Sequence, residues 1–277
     1  MMKAGRILIF CACAALSALA LRAPAFALSE DAAKIEAAKR AQAEKKAKEE
    51  ARIAAKNVWQ AKFKKGAVED RFMELNTEKE PQLKMGFKPL FNGKDLRGWK
   101  QVTGNASFTV KDKMIVGEKN REDKVNSFLA TTENYKDFIL TLEFKWVEKG
   151  NSGVMVLAAL DNKGLVSGPQ IEIETSEDRR WTGGIYGERA GAWKYSLSRE
   201  EHEAARQAVK DYFEWNRLTV WCKNGVIKTW VNGVPCAVLD TKKDKNLSKF
   251  ADGFIALQVH QGGSGISQFR NIKIKKL

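Results

Sequence analysis

Two stretches of the chain alternate apolar and polar residues with a period of two, and each carries its chemistry on one side. In Gly168-Pro169-Gln170-Ile171-Glu172-Ile173-Glu174-Thr175, read as a strand, Ile171 and Ile173 point one way and Gln170, Glu172 and Glu174 the other. In Phe254-Ile255-Ala256-Leu257-Gln258-Val259-His260, the residues Ile255, Leu257 and Val259 make the apolar face, and Gln258 and His260 share the opposite one. If both strands lie in one curved sheet, two Glu, two Gln and a His line a common groove.

Other short runs surround these two: Ser107–Val110, Lys113–Gly117, Ser127–Thr131, Phe138–Val147, Ser152–Ala159, Asn216–Lys223, Val226–Val231, Val234–Leu239 and Ile266–Ile274. The clearest is the one in which Phe138, Leu140, Leu142, Phe144 and Trp146 alternate. Asn224-Gly225 and Asn232-Gly233 are strong hairpin signals. Gly86 to Trp99 is dense in turn formers, with Phe91, Leu96 and Trp99 as anchors. Between Ser176 and Asp211 the pattern changes. Thr182 to Gly187 reads as a Gly-rich loop or short strand, and Ser198 to Asp211 as a brief helix with Ser198 as cap and Glu201 three residues on. Many short strands with few helices predict an all-β fold, a two-sheet antiparallel jelly-roll sandwich.

A long charged α-helix precedes it. Ser29 to Lys65 is Ala, Lys and Glu with hardly a Gly or Pro, which predicts a helix of roughly 36 residues, on the order of 50 Å. Ser29 caps it, with Glu30 and Asp31 at the positive end of the dipole. Its polar circumference suits a spacer or a self-associating coiled coil with Ala at the seam. Phe72, Met73 and Leu75 suggest a second, short helix before Pro81. At the start, Lys3 and Arg6 precede an apolar run from Ile7 to Leu21, and Ala25-Phe26-Ala27 has the small-x-small pattern of a cleavage site. The expectation is a signal peptide cut after Ala27, a periplasmic or secreted protein, and no membrane attachment afterwards; the competing reading is an uncleaved anchor. The division is then 1–27 signal peptide, 28–82 helical segment and linker, and 83–277 jelly-roll domain.

The formal charge of +14 favours anionic partners in general. Its Lys residues are scattered, and an exported protein rarely meets nucleic acid, so no nucleic-acid partner is expected. Cys11 and Cys13 fall within the signal peptide, leaving Cys222 and Cys236. In a strand meander these two sit one strand apart, about 4.8 Å per strand spacing, too far to bridge. Two unpaired thiols are expected.

Leu90-Phe91-Asn92-Gly93-Lys94-Asp95-Leu96 with Gly98-Trp99 resembles the opening motif of the 3-keto-disaccharide hydrolase domain family. Gly150-Asn151-Ser152-Gly153, Thr182 to Gly187, Glu214-Trp215-Asn216, Asn232-Gly233-Val234, Leu257 to His260 and Phe269-Arg270-Asn271-Ile272 resemble its later landmarks, in order. The resemblance spans about Gly86 to Leu277. It implies a concanavalin/laminin-G-like jelly roll and cleavage of 3-keto-glycosides by elimination and hydration. Two departures stand out. Family members often read Glu-x-Gln at the central strand, where this chain has Gln170-x-Glu172. They often carry Arg four residues after the Gly of the Asn-Ser-Gly motif, where this chain has Leu157.

A ketone at C3 of a sugar acidifies the proton on C2, so the C1 substituent can leave once a base removes it. Such a site needs a base, an acid for the leaving oxygen and a group to hold the enolate. Glu172 or His260 could be either base or acid, and Arg270 or a divalent metal could steady the enolate. Glu172, Glu174 and His260 are the candidate ligands for that metal; no cofactor is otherwise expected. Paired-carboxylate hydrolysis would use Glu172 and Glu174, roughly 6–7 Å apart at i and i+2. Asn151, Gln170, Glu174, Tyr186, Gln258 and Arg270 are the expected substrate-binding residues. Trp181 and Trp193 flank the Gly-rich loop, where aromatic faces suit sugars or pack a lid. His202, in a charged helix, is expected at the surface. The alternative to an exported enzyme is a glycan-binding module displayed on a helical stalk. A third reading makes the helix itself the working part, through self-association.

Overall fold

The computed structural model describes residues 30–62, 73–120, 122–148, 150–174, 179–211, 213–262 and 265–277, with side-chain environments in the first helix given for 33–51. The expected signal peptide, Met1 to Ala27, and Phe72 lie outside the described residues. The chain divides into two compact units, 1–54 and 55–277.

Helix α1 runs Glu30–Lys62, 33 residues. Every described side chain in it is exposed. Glu36 and Arg40, one turn apart, lie 3.9 Å from each other, and Lys46 and Glu50 3.7 Å. Such exposed pairs each contribute a few tenths of a kcal/mol, about 0.2–0.5.

The second unit is a two-sheet antiparallel sandwich of jelly-roll type. One sheet contains β3 (Ser107–Lys111), β4 (Met114–Glu118), β15 (Ile266–Lys276), β6 (Phe138–Trp146), β11 (Asn216–Lys223), β12 (Val226–Val231) and β13 (Val234–Asp240), in that spatial order, with β1 (Lys88–Pro89) paired to β15. The other contains β2 (Trp99–Thr103), β5 (Ser127–Thr131), β14 (Phe254–Val259), β7 (Asn151–Leu160), β8 (Val166–Glu174), β9 (Ile185–Glu188) and β10 (Ala192–Tyr195). Leu140, Leu142 and Phe144 of β6 and Val154, Ile171 and Leu257 of the facing sheet belong to one buried cluster. Each such side chain contributes about 1.5–3 kcal/mol relative to exposure.

The strand alternation read from the sequence is therefore the sandwich core. It failed at both edges of the second sheet, β2 and β10. β2 buries only Trp99 and Thr103, and β10 only Tyr195, so neither carries a clean period of two.

Three local expectations are corrected. From Met73 to Gln82 the chain forms no helix. It is a strap bonded to β11 and β12. The Asn76 amide donates to the Thr229 carbonyl at 3.0 Å, Trp230 Nε1 donates to the Glu78 carbonyl at 2.8 Å, and Thr219 Oγ1 donates to Glu80 at 2.6 Å. These long-range bonds outweigh local helix propensity. After Leu197, a 3₁₀ turn (Glu200–His202) leads into α2 (Glu203–Ala208), with Arg199, not Ser198, at the N-cap position. Ser198 Oγ instead meets Ser196 Oγ at 2.9 Å. His202 is buried, because the turn directs it inward to Tyr195, Nε2 to hydroxyl 3.0 Å. Cys222 and Cys236 are free and buried, on β11 and β13 with β12 between them.

Candidate functional site

The four strands β9, β8, β7 and β14 are consecutive neighbours, and their registers build the site. Gln170 pairs with Met155 and with Tyr186, Glu172 with Gly153, Glu174 with Asn151, and Leu257 with Val154. Alternation along these strands sends Ile171, Ile173, Ile255 and Leu257 into the core. It leaves Gln170, Glu172, Glu174 and Gln258 on the opposite face.

Each residue of Asn151-Ser152-Gly153 has a distinct task there. The Asn151 amide donates to Glu172 Oε1. Ser152 Oγ donates to the Gln258 carbonyl at 2.6 Å and so ties β7 to β14. Gly153 leaves space for Gln170: a Cβ there would lie 2.5 Å from Gln170 Cδ. Gln170 in turn donates from Nε2 to Glu172 Oε2 at 3.2 Å.

Glu172, His260, Asn151, Gln170, Tyr186 and Gln258 all line one cavity of about 350 Å³. Glu172 is buried, and its carboxyl is raised to about 7. Burial is the main cause and the neighbouring Glu174 charge the next; the Asn151 and Gln170 amides and Arg179 oppose them. His260 Nδ1 accepts the backbone N–H of Gly262 at 2.9 Å, which leaves the proton of the neutral ring on Nε2. Burial, and then Lys119, lower its pKa and favour that neutral form. Gln258 is fully buried, and neither atom of its amide has a hydrogen-bond partner among the described residues; Gln170 Oε1 is in the same condition. A buried amide without a partner costs about 1–3 kcal/mol, so these groups are suited to ligand hydroxyls.

Two expected residues do not enter the cavity as supposed. Glu174 is held by Arg179, whose Nε donates to its two oxygens at 3.2 and 3.0 Å, and by the backbone N–H of Trp181 at 2.6 Å. Arg270 lies on β15 in the other sheet. Its Nε donates to Glu143 at 2.6 Å, and its guanidinium covers Trp215 at 3.9 Å. Among the described residues no three His, Cys, Asp or Glu side chains group as metal ligands, so Glu172, Glu174 and His260 do not form the ligand set considered from the sequence.

Sequence reasoning missed Asn126, Arg179, Glu188 and Gln261, which also line the cavity. Arg179 places a cation in the wall, 4.9 Å from the Trp181 ring centre and 5.2 Å from that of Trp193. Trp193 meets Tyr186 edge-on at 5.6 Å and also lines the cavity. Leu157, at the position where the family pattern often has Arg, is buried in the core in a left-handed conformation, φ 52°. The signal for Glu188 was available: it shares parity with Tyr186, two residues away. Arg179 lies between β8 and β9, outside both strands, where no periodicity marks it.

Solved structures share this architecture. A candidate glycosyl hydrolase from Parabacteroides distasonis aligns with a TM-score of 0.52 at 22% identity, covering 72% of this chain and 100% of that one. A second from the same organism gives 0.50 at 25% identity, covering 69% and 99%. A Bacillus subtilis protein with a galectin-like fold gives 0.50 at 13% identity, covering 72% and 98%. No curated protein matches the chain in sequence. Residues 86–275, which contain every strand pairing that frames the cavity, match the 3-keto-alpha-glucoside-1,2-lyase-like domain, and the chain belongs to that family.

Proposed function

We propose that the protein is an exported carbohydrate-active enzyme that cleaves 3-keto-glycosides in the cavity beside β8. One observation carries the reading. The run of strands β8, β7 and β14 brings a carboxyl raised to about 7 into the same cavity as a neutral imidazole and buried, unpartnered amides. A base working near neutral pH has the strength that abstraction of an acidified C–H requires. In this reading Glu172 takes the C2 proton. His260, through Nε2–H, donates to the C3 oxygen as charge develops on it, and Arg179 adds positive potential at the same wall. Gln170, Gln258, Asn151 and Tyr186 position the sugar. Family membership and the 25%-identical candidate glycosyl hydrolase support a carbohydrate ligand. The leader-like Met1 to Ala27 supports export.

The test is turnover of methyl 3-keto-glucoside by the purified protein, with and without EDTA, and by Glu172→Gln and His260→Ala. Unchanged rates in both variants would end the assignment. The second reading, a glycan-binding module, is favoured by the reversed Gln170-x-Glu172 order and by Leu157. Tight glycan binding with no product released would select it.

A further inference from the structure

A second, smaller cavity of about 200 Å³ adjoins the first. The two share three lining residues, Asn126, Glu188 and Gln261. Beyond this waist the smaller compartment is walled by Val125, Leu165 and Val166, with Lys124 and Arg189. A ligand occupying both compartments must pass its connecting bond between these shared residues. For a glycoside, that bond joins C1 to the leaving oxygen.

Glu188 is the one shared residue that can give up a proton. It sits on β9 opposite Gly168, four residues before Glu172 on the neighbouring strand, or about 13 Å along it. Both carboxyls line the larger cavity, so from these separated strand positions they can reach the neighbouring C2–H and C1–O groups of one sugar. The hydrogen bond to Glu188 comes from the Asn126 amide at a long 3.5 Å, while the adjacent Arg189 guanidinium bonds Asp161 at 2.7 Å. Burial raises the Glu188 carboxyl above its ordinary value, which favours the protonated form an acid must have.

We infer that Glu188 is the acid that protonates the departing oxygen, and that the smaller compartment holds the leaving group. This rests on the reading of the larger cavity as a 3-keto-glycoside site. Glu172 takes the C2 proton, and the C–H pair is delocalised into the ketone as an enolate. As the enolate collapses, a C1–C2 double bond forms and the C1–O bond breaks. The leaving oxygen keeps that pair and takes the Glu188 proton. The products are a neutral alcohol and an unsaturated 3-keto sugar. Both carboxyls then return to their starting states by proton exchange with water, and no oxidant or reductant is needed.

The experiment compares methyl and 4-nitrophenyl 3-keto-glucosides on the unaltered protein and on Glu188→Gln. Nitrophenolate leaves without protonation and methoxide does not. Glu188→Gln is expected to lose about 10²–10⁴-fold in kcat/KM on the methyl substrate and to change little on the nitrophenyl one. If that variant does not fold, Glu188→Asp keeps the carboxyl and should show the same selective loss in weaker form. Equal losses on both substrates, or none on the methyl substrate, would overturn the role of Glu188 and leave the reading of the cavity intact. Release of neither leaving group by the unaltered protein would overturn that reading and this assignment with it.

Discussion

Asn151 reaches diagonally across the β7–β8 ladder to Glu172: its own backbone pairs with Glu174, and its side-chain amide donates to the carboxyl two residues earlier. That bond stabilises the charged carboxylate and opposes burial, so it tunes the base toward neutrality. Removing the donor with Asn151→Ala should raise the Glu172 pKa further. The rising limb of the pH–rate profile, expected near 7 in the unaltered protein, should shift to higher pH. An unshifted limb would mean that Glu172 is not the group being titrated.

The same carboxyl should weaken the fold at high pH. Its folded-state pKa is raised, so the unfolded chain releases the proton first. Stability should fall as pH rises from about 4.5 through 7, by on the order of 3 kcal/mol for a shift of this size. Glu172→Gln should remove this dependence, giving a higher Tm than the unaltered protein at pH 8 and a similar one near pH 4. Thermal unfolding across that range is the check.

Gly153→Ala tests the seat of Gln170. Its backbone is not left-handed, so the substitution is not strained at φ, but the added methyl would meet Gln170 Cδ at 2.5 Å. The expected cost in stability is about 1–3 kcal/mol, from displacing a buried side chain. KM should rise more than kcat falls, because the amide that positions the sugar moves while Glu172 remains. A variant with kinetics unchanged on 3-keto-glucosides would exclude Gln170 from binding.

His202, which does not line the cavity, should give the opposite pH response. Burial, and then Arg206 and Arg199, lower its pKa to about 4. The unfolded chain therefore takes up the proton first, and stability should fall as pH drops from about 6.5 toward 4. His202→Gln should flatten that limb of the Tm profile without altering the high-pH limb set by Glu172.

Much of the fold was legible because its strands bury one face, and burial writes a period of two into the residues. The same parity located Gln170, Glu172 and Gln258, since alternation decides which side a residue serves whatever its partner. It says nothing of Arg270, since parity within one strand does not say which sheet the strand joins. It also does not reach Arg179, which lies outside β8 and β9, or His202, whose orientation depends on a 3₁₀ turn. Side chains placed by irregular backbone leave no periodic trace.

The strap from Met73 to Gln82 has a practical bearing on where the stable unit starts. The family match opens at residue 86, after the strap has crossed β11 and β12. A version trimmed to that boundary would strip the acceptor from the Trp230 indole and the partner from Thr219, and would bare a ring now 1% exposed. Recombinant domains should therefore begin ahead of Met73, or they will carry a fresh sticky patch on the back of the sandwich.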